Sequence, residues 1–228
     1  MFGKNSYIKL INQIIDAGLV PSTDWAEQMG SDDFYLRHDV DFSVSAALKI
    51  AEIDHSLGVE STFFFMLSSN FYNLMSNTNL DKVRKIRDLK HKISLHWDPT
   101  AYKEEKPFLT EKKVFEELFN VSTDIVSVHR PGDFMKDNDR QLFGVAHTYQ
   151  NRFFKYMSYI SDSAGTEVQI KVGQYLENRN KNGLQLLLHP IWWTDELNSP
   201  TSTLNKWLLK NTNFIRSELR TNCKTYKP

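Results

Sequence analysis

Apolar positions Tyr7, Ile8, Ile11, Ile14, Ile15 and Leu19 recur three and four residues apart, the period of a helix that buries one face, and Gly18 and Pro21 mark its end. The pattern then changes. Tyr35 to Val40 reads as a strand, followed by a helix from Ser43, placed to cap it, to Leu57, with Gly58 as its stop. The run ESTFFFML from Glu60 is apolar, aromatic and β-branched, which suits a strand covered on both faces. A charged helix from Asp81 to Leu89 leads to a strand in KISLHWDP, and a helix from Glu111 to Phe119 leads to one in DIVSVHRPG. Two more strands are read in FKYMSYISDSAG and GLQLLLHPIWW. The last helix, Ser202 to Leu219, carries Leu204, Trp207, Leu208, Phe214, Ile215 and Leu219 on its apolar side. Strands alternating with helices predict a parallel sheet with helical crossovers, either a barrel or an open sheet.

Composition narrows this picture without redirecting it. A chain of 228 residues, 40% hydrophobic and holding 15 Phe, 9 Tyr and 5 Trp, can fill the core of one large α/β domain. We read residues 1–228 as a single domain, with 1–30 as an N-terminal helical extension. Lys and Arg number 28 and Asp and Glu 28, so no net field draws the chain to nucleic acid or an anionic membrane. The basic run KVRKIRDLKHK interleaves with Val83, Ile86 and Leu89 at helical spacing and reads as a solvated helix face, with His91 expected in solvent. One cysteine, Cys223, excludes an intramolecular disulfide. No stretch approaches the roughly 20 apolar residues of a membrane span, and the first residues are too polar for a signal peptide, so a cytoplasmic location is expected. Nothing in the pattern sets an oligomeric state.

The chemistry lies where the strands end. Five strand candidates each finish in His, Asp or Arg, at the C-terminal edge where barrels and open α/β sheets assemble their sites. Asp39 and Asp41, two apart, lie on one side of a regular strand or diverge around one centre just beyond it, while His38 alternates to the opposite side. His96 and His129 end two later strands. One carboxylate with two imidazoles is a set that holds a catalytic divalent metal, zinc or an ion like it, and leaves positions open; His96, His129 and one of the two aspartates are candidates for it. The other carboxylate can take a proton from water, with Arg130 the candidate to hold its charge, and His189 can protonate a leaving group. Asp162, Trp97 and Trp193 are candidates for touching a substrate. Each residue also has a plainer use. Asp39 and Asp41 can cap the helix that starts near Ser43, Arg130 can bind carbonyls, and the tryptophans can simply pack.

These motifs, spread from about Asp33 to Trp193, resemble the polysaccharide deacetylase family, also known as the NodB-homology or carbohydrate esterase family four superfamily. HDVD resembles its first motif, which implies Asp39 as base and Asp41 as metal ligand. SLHWD resembles the second and implies His96 as a ligand; HRPG resembles the third and implies that Arg130 orients the base. YISDS stands in the place of the fourth, putting Asp162 beside that arginine or at the rim. LLLH resembles the fifth, with Leu187 packing and His189 as general acid. The second motif usually carries another histidine four residues on, where this chain has Thr100, and His129 is our own candidate for the vacant role. Val40 separates the two aspartates, and the HDVD, LHWD, HRP and LLHP patterns are closest to an intracellular, sugar-pathway subgroup. The resemblance implies a deformed (β/α) barrel of about six or seven parallel strands, a carbohydrate or other small-molecule substrate, and metal-dependent removal of an acetyl group. A catalytically silent carbohydrate-binding member of the fold, or a hydrolase of another amide or ester bond, stands as the alternative.

Overall fold

Neighbouring parallel strands need a crossover between them, and the chain supplies a helix at most of these steps. A computed structural model describes residues 2–26, 30–132, 139–164, 167–179, 183–196 and 199–227. In chain order it places α1 (Lys4–Asp16), β1 (Val20–Pro21), β2 (Asp33–Val40), α2 (Val44–Ser56), β3 (Thr62–Phe65) and α3 (Asn77–Asp88). There follow β4 (Lys92–Trp97), α4 (Glu105–Phe119), β5 (Ile125–Val128), β6 (Ala146–His147) and α5 (Asn151–Phe154). The last elements are β7 (Ser158–Ser161), α6 (Val168–Glu177), β8 (Leu184–Leu188) and α7 (Pro200–Asn222). The strands pair in parallel in the order β6-β5-β4-β3-β2-β8-β7, with β1 on the start of β2, and the sheet curls into a half-barrel, the deformed (β/α) barrel expected.

The central strands are buried on both faces, as their unbroken apolar runs require. Gly183 opens β8 where only glycine fits: a Cβ there would lie 2.9 Å from the Asp33 carbonyl oxygen and 3.1 Å from that of Gly30. Ser43 caps α2, its Oγ accepting from the Ala46 amide at 3.2 Å, and Gly58 turns the chain after it with φ +70.

Alternation along β2 sorts its side chains into layers. On the concave face, Tyr35 lies deepest and forms an aromatic plug with Trp25, Phe64 and Phe153; the Trp25 and Tyr35 rings stack with centroids 3.9 Å apart. Arg37 lies one step up and Asp39 above it, at the open end. On the helix side, His38 joins a buried polar cluster. Asp54 of α2 accepts from Tyr7 at 2.5 Å and Ser61 at 2.8 Å, and one of its oxygens is 3.1 Å from His38 Nε2. His91 continues the chain, 3.1 Å from Ser61 Oγ and 2.9 Å from the Ala51 carbonyl.

Two expectations change here. His91 is buried, not in solvent: the basic residues around it face outward, but its own ring fills the gap between α2 and the start of β3. The apolar side of α7 is covered only near its start, where Trp207 meets Phe42 and gives its Nε1 proton to the Phe42 carbonyl at 3.2 Å. Leu208, Phe214, Ile215 and Leu219 are exposed. Helical period marks a face that can be covered; it does not say by what.

Candidate metal and proton-transfer site

The register of the sheet brings the strand ends together. His38 of β2 pairs with Leu188 of β8, and Ser161 of β7 with Leu187, so Asp39, His189 and Asp162 stand side by side across three strands. On the other flank His96 of β4 pairs with Ser127 of β5, and the His129 amide continues that ladder to the Trp97 carbonyl at 2.7 Å. Tyr72 ties the open end, donating to the Val40 carbonyl at 2.7 Å and accepting from the Met66 amide at 2.9 Å.

Arg37 is wholly buried beneath this mouth, and a buried guanidinium is tolerated only with partners that satisfy it. Its Nε donates to Asp39 Oδ1 at 2.9 Å and its Nη2 to Asp39 Oδ2 at 2.6 Å, a bidentate fork. Ser127 and Gln185 accept further bonds at 2.6 and 3.2 Å, and the guanidinium carbon lies 4.9 Å from the centre of the Tyr149 ring. Burial alone would raise the Asp39 pKa; Arg37 outweighs it, helped by His96, and holds the carboxyl below its usual range. The partner expected for Asp39 was Arg130. Among the described residues that role belongs to Arg37, two positions back on the same strand face, while Arg130 sits past the end of β5 with φ +47 and an exposed side chain.

Asp41, in the turn after β2, points between the two imidazoles. Its Oδ1 lies 3.2 Å from His96 Nε2 and 3.6 Å from His129 Nδ1, and the two rings stand perpendicular with centroids 5.2 Å apart. One ligand atom from each of Asp41, His96 and His129 falls within 4.8 Å of the others, so a single ion can meet all three. Asp41 Oδ1 is buried and forms no hydrogen bond of acceptable geometry. A buried carboxylate oxygen left in that state is costly, and a cation between the rings would relieve it. Burial tends to raise the Asp41 pKa; the imidazoles of His129 and His96 outweigh it and hold it far below the usual range. Neither aspartate caps α2, which Ser43 already does.

His189 follows β8. Its Nδ1 lies 2.5 Å from Asp162 Oδ1, while Asp162 Oδ2 accepts from the His189 amide and from Trp193 Nε1, each at 2.8 Å. The opposite nitrogen, Nε2, is 3.7 Å from Asp41 Oδ2. Burial opposes charge on this ring, but Asp162, and behind it Asp41 and Asp39, push its pKa up to about 9.

Three substrate candidates are removed by burial. Asp162 is 2% exposed with both oxygens engaged, so it holds His189 and does not reach a substrate. Trp193 is 0% exposed, packing on Phe2 and Tyr7, and Trp97 is 4% exposed among Tyr102, Phe108 and Phe143. The cavity over the site, about 620 Å³, is walled instead by Phe42, Phe71 and Trp192 on one side and by Tyr149, Phe154 and Tyr159 on another. Arg37, Ser127 and Gln185 escaped the sequence reading. The signal for Arg37 was present, since alternation places it on the same face as Asp39.

No family model and no curated protein matches the sequence. Solved structures do resemble the fold. The chitin deacetylase of Colletotrichum lindemuthianum matches 78% of this chain and 81% of its own, with 15% identity and a TM-score of 0.45. The catalytic domain of peptidoglycan N-acetylglucosamine deacetylase from Eubacterium rectale matches over 84% and 89%, with 13% identity and a TM-score of 0.46. A CE4 family pseudoenzyme from Bacillus anthracis matches over 85% of this chain and 64% of its own, with 15% identity and a TM-score of 0.42. Likeness of fold does not by itself fix activity. Among the described residues no helix is long and apolar enough to cross a membrane.

Proposed function

We propose that the chain is a metal-dependent hydrolase that removes the acetyl group from an N-acetylated sugar. The observation that carries this reading is the buried Asp41 Oδ1, unbonded between His96 Nε2 and His129 Nδ1 at the floor of an open cavity. Oxygen and nitrogen donors in that number suit zinc or a similar divalent ion, which supplies an acidified water and a polarised acyl carbonyl when bound.

The chain's own residues account for the protons. Asp39 stays ionised through its pairing with Arg37, which also fixes the plane of its carboxylate, and it takes a proton from the attacking water. The water oxygen bonds to the acyl carbon. As the carbon–nitrogen bond breaks, His189 gives its Nε2 proton to the departing nitrogen, leaving acetate and a free amine. Asp162 makes this possible by holding Nδ1, so that the proton to be lost sits on the nitrogen facing the cavity. The aromatic walls limit water around the sugar and offer ring faces for it to stack on.

Elemental analysis together with acetate release tests the reading. Protein incubated with zinc and desalted should retain one ion per chain and deacetylate N-acetylated sugars, and His129→Ala should lose both properties. Protein that retains no divalent ion would overturn it.

A further inference from the structure

Because Asp39 is neutralised from below by Arg37, Arg130 is not needed for that task, and it lines the mouth together with Lys171 of α6. Among the described residues, the carboxylates lining this cavity are Asp39 and Asp41. The first is engaged by Arg37 and Ser127, and the second stands between two histidines. Neither is free to balance the rim. Lys171 has a distant neighbour of opposite charge, Glu167 at 4.0 Å, with both side chains largely in solvent, a contact of little strength. The Ser161 and Ser163 hydroxyls also line the cavity and lie 2.7 Å from each other. The opposite wall, Phe42, Phe71 and Trp192, is aromatic and carries no charge. The mouth therefore differs from wall to wall: Phe42, Phe71 and Trp192 bring rings alone, whereas Arg130, Lys171 and the two serines bring cations and hydroxyls beside the rings of Tyr149, Phe154 and Tyr159.

Resting on the reading that this mouth holds an acylated sugar, we propose that the sugar carries an oxyanion, a carboxylate or a phosphate, outside the acylated position, held by Arg130 and Lys171. Arginine receives either group through two parallel N–H donors, lysine adds a point charge, and the serine hydroxyls can donate to remaining oxygens. A neutral sugar would fill the same volume without engaging either cation.

Three probes separate the possibilities: the methyl glycoside of N-acetylglucosamine, N-acetylglucosamine 1-phosphate, and the methyl glycoside of N-acetylglucosaminuronic acid. With the zinc-loaded full chain, at least one anionic probe should exceed the neutral one in kcat/KM by about tenfold or more, the range expected of hydrogen bonds to charged groups. The probe that leads identifies phosphate or carboxylate as the source. In Arg130→Gln/Lys171→Gln, two exposed positions, the advantage should shrink to less than about threefold, and in the parent chain it should weaken with added salt. Equal kcat/KM for all three probes, or an advantage that survives the double substitution and so belongs to the metal centre, would overturn the proposal and leave the hydrolase reading standing. Calorimetric binding of the same probes to Asp39→Asn gives the contrast without turnover. Tighter binding of an anionic probe, lost on the double substitution, supports the proposal even if the parent chain cleaves nothing, the result that would defeat the hydrolase reading instead; equal binding overturns it.

Discussion

His38 and Asp39 are consecutive, and their side chains enter two polar clusters on opposite faces of β2. On the helix side, Asp54 has both oxygens filled by Tyr7, His38 and Ser61, and the cluster closes on the Ala51 carbonyl through His91 with packed side chains all round. On the concave side, Asp41 Oδ1 and His96 Nδ1 are buried without hydrogen bonds, and the cluster opens on a cavity. Both contain histidine and aspartate. The helix-side cluster uses them to bond elements to each other, although His38 Nδ1 lacks a partner. The mouth leaves a convergent set of donors unspent. What distinguishes a candidate site from a structural network is thus a convergent set of donor atoms beside a cavity, not the residue types.

Substitutions on each side should separate the two. Asp41→Ala has the largest expected effect: deacetylation falls by a factor of about a thousand or more, bound zinc is lost, and thermal stability holds, as elemental analysis and calorimetry would show. The mirror change, Asp54→Ala, should spare zinc binding in the folded protein and lower stability by about 3–5 kcal/mol in a urea titration, because His38, Tyr7 and Ser61 are left buried without their acceptor. A loss of zinc in Asp54→Ala with unchanged stability would erase the contrast. Arg37→Lys keeps the charge under Asp39 but not the fork, and a fall in kcat of about ten- to a hundredfold is expected, with zinc retained.

Protonation sharpens the comparison further. On the proposed mechanism Asp39, held down by Arg37 against burial, should set an acid limb of the rate below the ordinary carboxylate range, and His189, pushed up to about 9, should set an alkaline limb. Replacing Asp162 with Asn should move the alkaline limb to lower pH, since the negative charge that most supports the imidazolium is gone; an unmoved limb would exclude His189 as the acid. For stability the sign is fixed by the raised value. His189 contributes stability fully present below its free value of 6.5 and lost as pH rises through about 9, while the lowered Asp39 contributes stability above 3.8 that is lost as pH falls. The smallest effect belongs to Ser43→Ala: about 1 kcal/mol of stability from the lost cap of α2, with zinc and rate unchanged, as a cap distinct from the two aspartates requires.

Local pattern alone determined a good deal. Strand or helix, the burial of TFFF on both faces, the cap at Ser43 and the opposite sides taken by His38 and Asp39 all follow from residue types and backbone periods of 2 and 3.6 that a short stretch carries by itself. The gathering of polar ends at one edge was legible too, because every parallel strand runs the same way. Only the tertiary structure decided the pairings. That Arg130 stays apart from Asp39, that Asp162 turns inward to His189, that His91 is buried and that Trp97 and Trp193 leave the walls to Trp192 all depend on which strands are neighbours and in what register. A pairing energy exists only once two distant segments touch, so no single segment can carry it.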